Sequence, residues 1–408
     1  MTDTPLLQPD DQPTSAPRRR PWLPIAVVAV LAALLAAGAG WWFFNARATI
    51  PDWERLTQLD LAAPAGDAFQ AETPWVKLSL RPLRPGEENG MLVSLAATQG
   101  TPVAGSGETP RIAALSARPL AADAAAPAPL ALQPEPGIEG AFTAMSPLDR
   151  AGWWRFTTQV EVEGADGPVE FFLLLPDPNL NGPNAVPGFP SSAEGEAVFR
   201  RGIDATTALK SVRFTEWIAD GKGNAAVSEH AVTAGGDGVP PGFTYRVLGG
   251  MEAVIIGSTR WIKLPGAPGW QQQEGATVVL PSEWGDEYTG ATGFTLLGEE
   301  TIDGEPCQIV AFVAPELSEP RRRTVAWYVW WVGTESGQVR REAMVSRVHY
   351  MLHHFRDFDA PLTIAPPDVA GTPAPALTPL PPSPVGAGRG GNARRGSGNG
   401  GRGQPESG

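Results

Sequence analysis

Residues Trp22 to Phe44 form an uncharged apolar run preceded by Arg18, Arg19 and Arg20. A helix of roughly 20 apolar residues crosses the hydrocarbon core of a bilayer, so this run is long enough to span one. The positive-inside rule keeps the arginines in the cytoplasm and places the chain from Asn45 onward on the far side. A cleaved signal peptide is the competing reading, with Ala46-Arg47-Ala48 as a small-residue site. The length of the run favours an uncleaved signal anchor, as do Trp41, Trp42, Phe43 and Phe44 as an interfacial aromatic belt. The expected localisation is the cell membrane, single-pass, with residues 1–21 cytoplasmic and the main domains extracytoplasmic.

The chain has 408 residues and a formal net charge of −13. An acidic balance of that size argues against nucleic acid as a partner, because phosphate binding needs clustered Lys and Arg. Cys307 is the single cysteine and cannot form an intramolecular disulfide. Residues 367–408 are rich in Pro, then in Gly, Arg, Asn and Ser, and cannot bury enough apolar surface to fold. This tail carries Arg389, Arg394, Arg395 and Arg402, and reads as a solvated extension or a weak electrostatic tether to anionic lipid or wall polymer.

Between anchor and tail, a Pro, Asn and Gly-rich connection over 177–191 separates two segments, each long enough for its own core. In the first, 74–176, Val76, Leu78 and Leu80 alternate with Lys77, Ser79 and Arg81 as in a half-buried strand. Short strands punctuated by Gly and Pro turns predict a β-sandwich, with Leu120 to Pro136 as a long mobile loop. The Pro85-Gly86-Glu87-Glu88-Asn89 turn between strands, and Gly152-Trp153-Trp154-Arg155-Phe156 before a Val-rich strand, resemble the immunoglobulin-like domains of the YtkA and CopC group. That resemblance implies a setting of copper handling outside the cytoplasm. CopC-type sites use histidine and methionine, however, and this segment offers only Met91 and Met145, so copper binding does not transfer to it.

The second segment, 192–366, opens with a predicted helix over Ala193 to Leu209. Val198, Ile203 and Ala205 or Thr206 mark its apolar side, and Ser191 or Ser192 its N-cap. Strand-like runs follow at Val212 to Ala219, Ala225 to Thr233, Phe243 to Leu248, Glu252 to Ile256, Thr259 to Leu264, Phe294 to Glu300, Gln308 to Ala314, Thr324 to Val332 and Arg340 to Phe355. The segment resembles the LolA and LppX/LprG lipoprotein fold. The matching residues are Lys210 to Phe214 after the helix, the hairpin Gly298 to Cys307, the strand and turn Trp330 to Gly337, and Phe355 to Asp359 with Pro361, Ile364 and Pro366. The resemblance implies an antiparallel half-barrel with a packed helix, and non-covalent carriage of a lipid or other apolar molecule. The expected fold class is thus mainly β: a transmembrane helix, an Ig-like sandwich and a half-barrel.

Val325 to Val332 is apolar on both faces of a strand, so neither face is freely solvated. One face lines a cavity or both pack in a filled core; curvature, which decides between them, cannot be read from sequence. The candidate cavity residues are Val212, Phe214, Val254, Ile256, Trp261, Trp327, Val329 and Trp331. Trp261, Trp270 and Trp284 lie in or near loops, where a pocket rim, docking on the membrane and simple core cover are all open. On a strand His349, Met351 and His353 share a face, a set that suits copper. Residues two apart stand about 7 Å apart, too far for all three to chelate one ion unaided, and the simpler reading leaves these histidines on a solvated face. Glu299, Glu300 and Asp303 are explained by hairpin chemistry, and no phosphate loop or activated nucleophile is present, so the chain is not expected to be an enzyme. The leading expectation is a membrane-anchored extracytoplasmic binding protein for an apolar ligand, partnered by a membrane transporter or envelope protein. An accessory role in copper handling and a purely structural envelope role are the alternatives.

Overall fold

Alternation within short strands builds this molecule, and among the described residues three antiparallel sheets result. The computed structural model describes residues 61–64, 75–80, 88–96, 111–124, 126–137, 140–161, 167–176, 189–219, 225–316, 324–346 and 349–368. The apolar run 22–44, most of the connection 177–191 and nearly all of the tail 367–408 lie outside the described residues. Among the described residues no helix is long and apolar enough to cross a membrane.

The first nine strands are β1 (Leu61–Pro64), β2 (Trp75–Leu80), β3 (Glu88–Ala96), β4 (Arg111–Pro119), β5 (Ala128–Leu130), β6 (Gln133–Pro134), β7 (Ala141–Pro147), β8 (Gly152–Glu161) and β9 (Gly167–Leu175). They form one sheet of order β1-β2-β3-β7-β6 and another of order β5-β4-β8-β9. The alternation at Val76 and Leu78 holds, both side chains being fully buried. The stretch 120–136, expected as a mobile loop, is instead a crossover between the sheets: β5 pairs with β4 and β6 with β7. Three-residue and two-residue strands are too short to leave a periodic signal.

Helix α1 (Ala193–Ala208) follows, then β10 (Ser211–Ala219), β11 (Ala225–Thr233), β12 (Gly242–Val247), β13 (Glu252–Ile256), β14 (Thr259–Lys263) and β15 (Gln271–Glu274). A short helix α2 (Pro281–Trp284) and a 3₁₀ turn (Gly285–Tyr288) lead into β16 (Thr292–Ile302), β17 (Glu305–Glu316), β18 (Thr324–Gly333), β19 (Val339–Ser346) and β20 (His349–Arg356). The run Arg340 to Phe355 is therefore two strands, paired antiparallel with Ser346 opposite His349. All eleven strands join one sheet of order β15-β14-β13-β12-β11-β10-β20-β19-β18-β17-β16.

Helix α1 is capped by Ser192, whose Oγ accepts from Gly195 N at 2.9 Å. Its buried residues Gly195, Val198, Phe199 and Gly202 fall at the i, i+3, i+4, i+7 spacing of a helix face. Gly202 permits the close approach, since a Cβ there would stand 3.2 Å from the Trp330 ring. The helix packs with Val310, Phe312, Tyr328 and Trp330, which defines one face of the sheet as the helix-covered face.

The opposite face of β17 to β19 carries Ile309, Ala311, Trp327, Val329, Trp331 and Ala343. These belong to one buried cluster with the strands of 74–176. Phe172 meets Trp331 edge to face at 4.8 Å, and Phe172 N donates to Tyr350 Oη at 3.3 Å. Arg155, only 6% exposed, binds Glu300 through both carboxylate oxygens, and Trp331 Nε1 donates to the same group at 2.8 Å. Arg341 reaches Glu170 at 2.9 Å. Phe171 and Phe156 point the other way, toward the layer that supplies Val76, Leu78, Met91 and Val93. The β8–β9 sheet is a middle layer, which explains why Phe171 to Leu175 are buried without alternation. The two segments share a core.

Candidate functional site

Strand pairing assembles residues far apart in sequence into one transverse row on the helix-covered face. Directly opposed pairs run from Val310 to Trp330, Trp330 to Glu342, Glu342 to His353, His353 to Glu216 and Glu216 to Ser228. Opposed side chains stand roughly 5 Å apart, within reach of direct contact. Alternation along β20 places His353 here and turns His354 to the other face, where its Nε2 lies 2.7 Å from Asp303 Oδ2.

The row contains a buried polar chain. His353 Nδ1 is 2.8 Å from Glu342 Oε1 and Nε2 is 3.0 Å from Glu216 Oε1. Glu342 Oε2 accepts from Tyr288 Oη at 2.7 Å and from Trp330 Nε1 at 2.5 Å. Ser228 Oγ lies 3.2 Å from Glu216 Oε2 and 2.8 Å from His230 Nε2. Glu216, Glu342, His230 and His353 are each no more than 5% exposed. Burial alone lowers a histidine pKa, but the hydrogen bonds and charges of Glu216 and Glu342 outweigh it and raise His353 to about 9. Burial works in the opposite sense on the carboxylates. The bonds from His230 and His353 nevertheless hold Glu216 far below the usual range, and those from His353, Tyr288 and Trp330 lower Glu342. At neutral pH His353 is an imidazolium that donates to both carboxylates.

Over this polar row lies a small, partly open pocket of about 30 Å³, lined in part by Leu209, Phe214, Trp284, Tyr288, Trp330, Glu342, His353 and Phe355. A volume of that size has room for about one water molecule. Its roof is formed by Thr206 and Leu209 at the end of α1 together with Trp284 and Tyr288, near the end of the segment 275–288. Trp284 meets Phe214 edge to face, and Tyr288 meets Trp330 at 4.7 Å.

The candidate cavity residues divide by parity. Val212 and Phe214 lie on the helix-covered face and pack with Trp284, and Phe214 lines the cavity. Trp327, Val329 and Trp331 alternate with Tyr328 and Trp330 and so point away, into the core shared with the sandwich layers. Val254 and Trp261 are opposed neighbours on that far face, whereas Ala253 and Ile262 occupy the near one, and Ile256 shares the parity of Val254. The doubly apolar strand β18 is thus covered by the helix on one side and by protein on the other. His353 is fully engaged inside the sheet, so the reading that left these histidines on a solvated face is corrected for it. Met351 shares its face and packs beside the α1 cluster, and His349 is half-buried. Among the described residues no group of three or more His, Cys, Asp or Glu is arranged to hold a metal ion. Trp284 is buried in the roof, and Trp270 is half-buried just before β15.

Sequence reading missed Glu216, Ser228, His230, Tyr288, Trp330 and Glu342 as a set. One signal was present: Glu216 continues the parity of Val212 and Phe214, a charged residue where the pattern calls for an apolar one.

No protein-family model matches the chain, and no curated protein matches it. Among solved structures it is similar to the lipoprotein LppX of Mycobacterium tuberculosis, at 17% identity over 43% of this chain and 100% of that one, with a TM-score of 0.33. It is similar to LprF of Mycobacterium bovis at 16% identity over 44% and 99% of the two chains, with a TM-score of 0.35. A LolA-superfamily protein of Nitrosomonas europaea is similar at 11% identity over 40% and 92%, with a TM-score of 0.20.

Proposed function

We propose that this chain is a membrane-anchored, extracytoplasmic, non-catalytic binding protein that holds a lipid or other apolar molecule against the helix-covered face of its large sheet. One observation carries the reading: the apolar floor extends beyond its helical cover. Helix α1 contacts β16 to β19. Beyond its reach, Tyr245, Ala253 and Ile262 continue the floor across β12 to β14, flanked by half-buried Phe243, Val247, Met251 and Leu264. Tyr245, Ala253 and Ile262 are themselves buried, so the area left for a ligand to take from water is that of Phe243, Val247, Met251 and Leu264, worth roughly 25 cal/mol per Å².

The pocket of about 30 Å³ is far smaller than the roughly 300–1,000 Å³ of ligand pockets. Loading therefore requires the roof segment 275–288 to lift. In this reading the apolar run Trp22 to Phe44 tethers the chain to the bilayer, and the layers of 74–176 brace the sheet from behind. The test is organic extraction of the full chain, purified after export, followed by mass spectrometry. Stoichiometric recovery of an apolar molecule supports the reading. A clean extract, with no uptake of added lipid, overturns it in favour of a structural envelope role.

A further inference from the structure

Lifting the segment 275–288 takes two aromatic side chains, Trp284 and Tyr288, out of the cavity wall. It also withdraws one hydrogen bond from a buried carboxylate, because Tyr288 Oη donates to Glu342 Oε2 at 2.7 Å. The other partners of Glu342 stay in place. Trp330 and His353 sit on the strands either side of it, at 2.5 Å and 2.8 Å. The opened pit is then aromatic, with one carboxylate oxygen missing a donor at its base. An acceptor stripped of a partner in apolar surroundings is costly, and more so when it is charged.

Tyr288 has the two properties that a ligand for this pit needs. Its ring lies against Trp330, Tyr328 and Phe312 at 4.7, 5.3 and 5.8 Å, and its single polar atom meets Glu342. We propose that Tyr288 holds the place of the ligand's polar end, so that the molecule bound under this roof is an amphiphile whose hydroxyl or amine donates to Glu342. The inference rests on the reading of this face as an apolar ligand site. A pure hydrocarbon, or an ether or ester with no donor, leaves Glu342 unmatched. A carboxylate or phosphate head group meets like charge from Glu342 and, behind His353, from Glu216. Thr206 on α1 also lines the cavity and lies on the helix side of the same pit.

The experiment offers hexadecanol and hexadecyl methyl ether together, at equal concentration, to the delipidated full chain, and quantifies what is retained by extraction and mass spectrometry. The two probes differ in the donor while sharing the apolar body. A hydrogen bond to a charged acceptor predicts enrichment of the alcohol by about tenfold or more. Glu342→Gln, which keeps the shape and removes the charge, brings the enrichment within about threefold. Tyr288→Phe keeps the enrichment and raises the total bound, since the competing hydroxyl is gone. Equal retention of the two probes by the natural chain overturns the donor requirement and leaves the apolar-ligand reading standing. Unchanged total binding in Tyr288→Phe overturns the place-holding role. Retention of neither probe overturns the underlying reading itself.

Discussion

Raising the pH through the titration of His353 should remove a defined part of the stability of the large sheet. Its imidazolium sits between Glu216 and Glu342, with Tyr288 on the far side of Glu342 and His230 on the far side of Glu216. The folded value of about 9 lies above the ordinary histidine value of 6.5. A raised pKa contributes stability that is fully present below the unfolded value and is lost as the pH rises through the folded one. At about 1.4 kcal/mol per pH unit, the interval corresponds to about 3–4 kcal/mol lost between pH 6.5 and 9. The carboxylates act in the opposite sense: their pKa values are depressed, so their share is present above the ordinary value of 4.5 and is lost in acid. Stability from this chain of groups is thus complete between roughly pH 5 and 6.5. Urea unfolding of the full chain in a mild non-ionic detergent, followed by tryptophan fluorescence across this range, measures the loss. His353→Gln should be less stable by about 3 kcal/mol or more at the lower end, since it leaves two buried carboxylates without their cation. Its stability should then change little up to pH 9, so that the two curves converge. Parallel falls of natural and variant chains above pH 6.5 would refute the coupling of His353 to the two glutamates.

Three further outcomes follow from the packing. Arg155→Met leaves Glu300 and Glu170 without their shared cation between two layers and should cost about 3–5 kcal/mol, read as a lowered thermal midpoint. Gly195→Ala should destabilise the protein although alanine favours a helix by about 1 kcal/mol, because the new Cβ would stand 2.6 Å from the Phe294 carbonyl oxygen and force α1 off the sheet. Cys307 is fully buried and its thiol is pushed up to about 11 by burial. It should therefore react with a thiol reagent at neutral pH only after denaturant is added, and rapid labelling of the native chain would contradict its placement.

Local patterns in the sequence carried most of the fold. Alternation along β10 to β14 and β16 to β18, and the helical spacing of α1 under its Ser192 cap, are short-range signals that burial on one face imposes. The polar strand β15 and the single-turn α2 escaped because neither has a length or an apolar period to read. The layering was hidden for a different reason. The doubly apolar Val325 to Val332 required two covered faces, but only tertiary packing decides that one lies under α1 and the other against Phe172. The candidate site was the least legible part. Glu216, His230, Glu342 and His353 meet through cross-strand register over 137 positions of sequence, and register is set by the whole sheet.

The central claim is that the helix-covered face receives an apolar molecule, and photolabelling tests it most directly. The full chain is loaded with a diazirine-bearing hexadecanol, irradiated, digested and mapped by mass spectrometry. Adducts concentrated on 198–214, 243–264 and 278–288 are the predicted result. Adducts confined to the apolar run 22–44, or placed on the strands of 75–175, would contradict it.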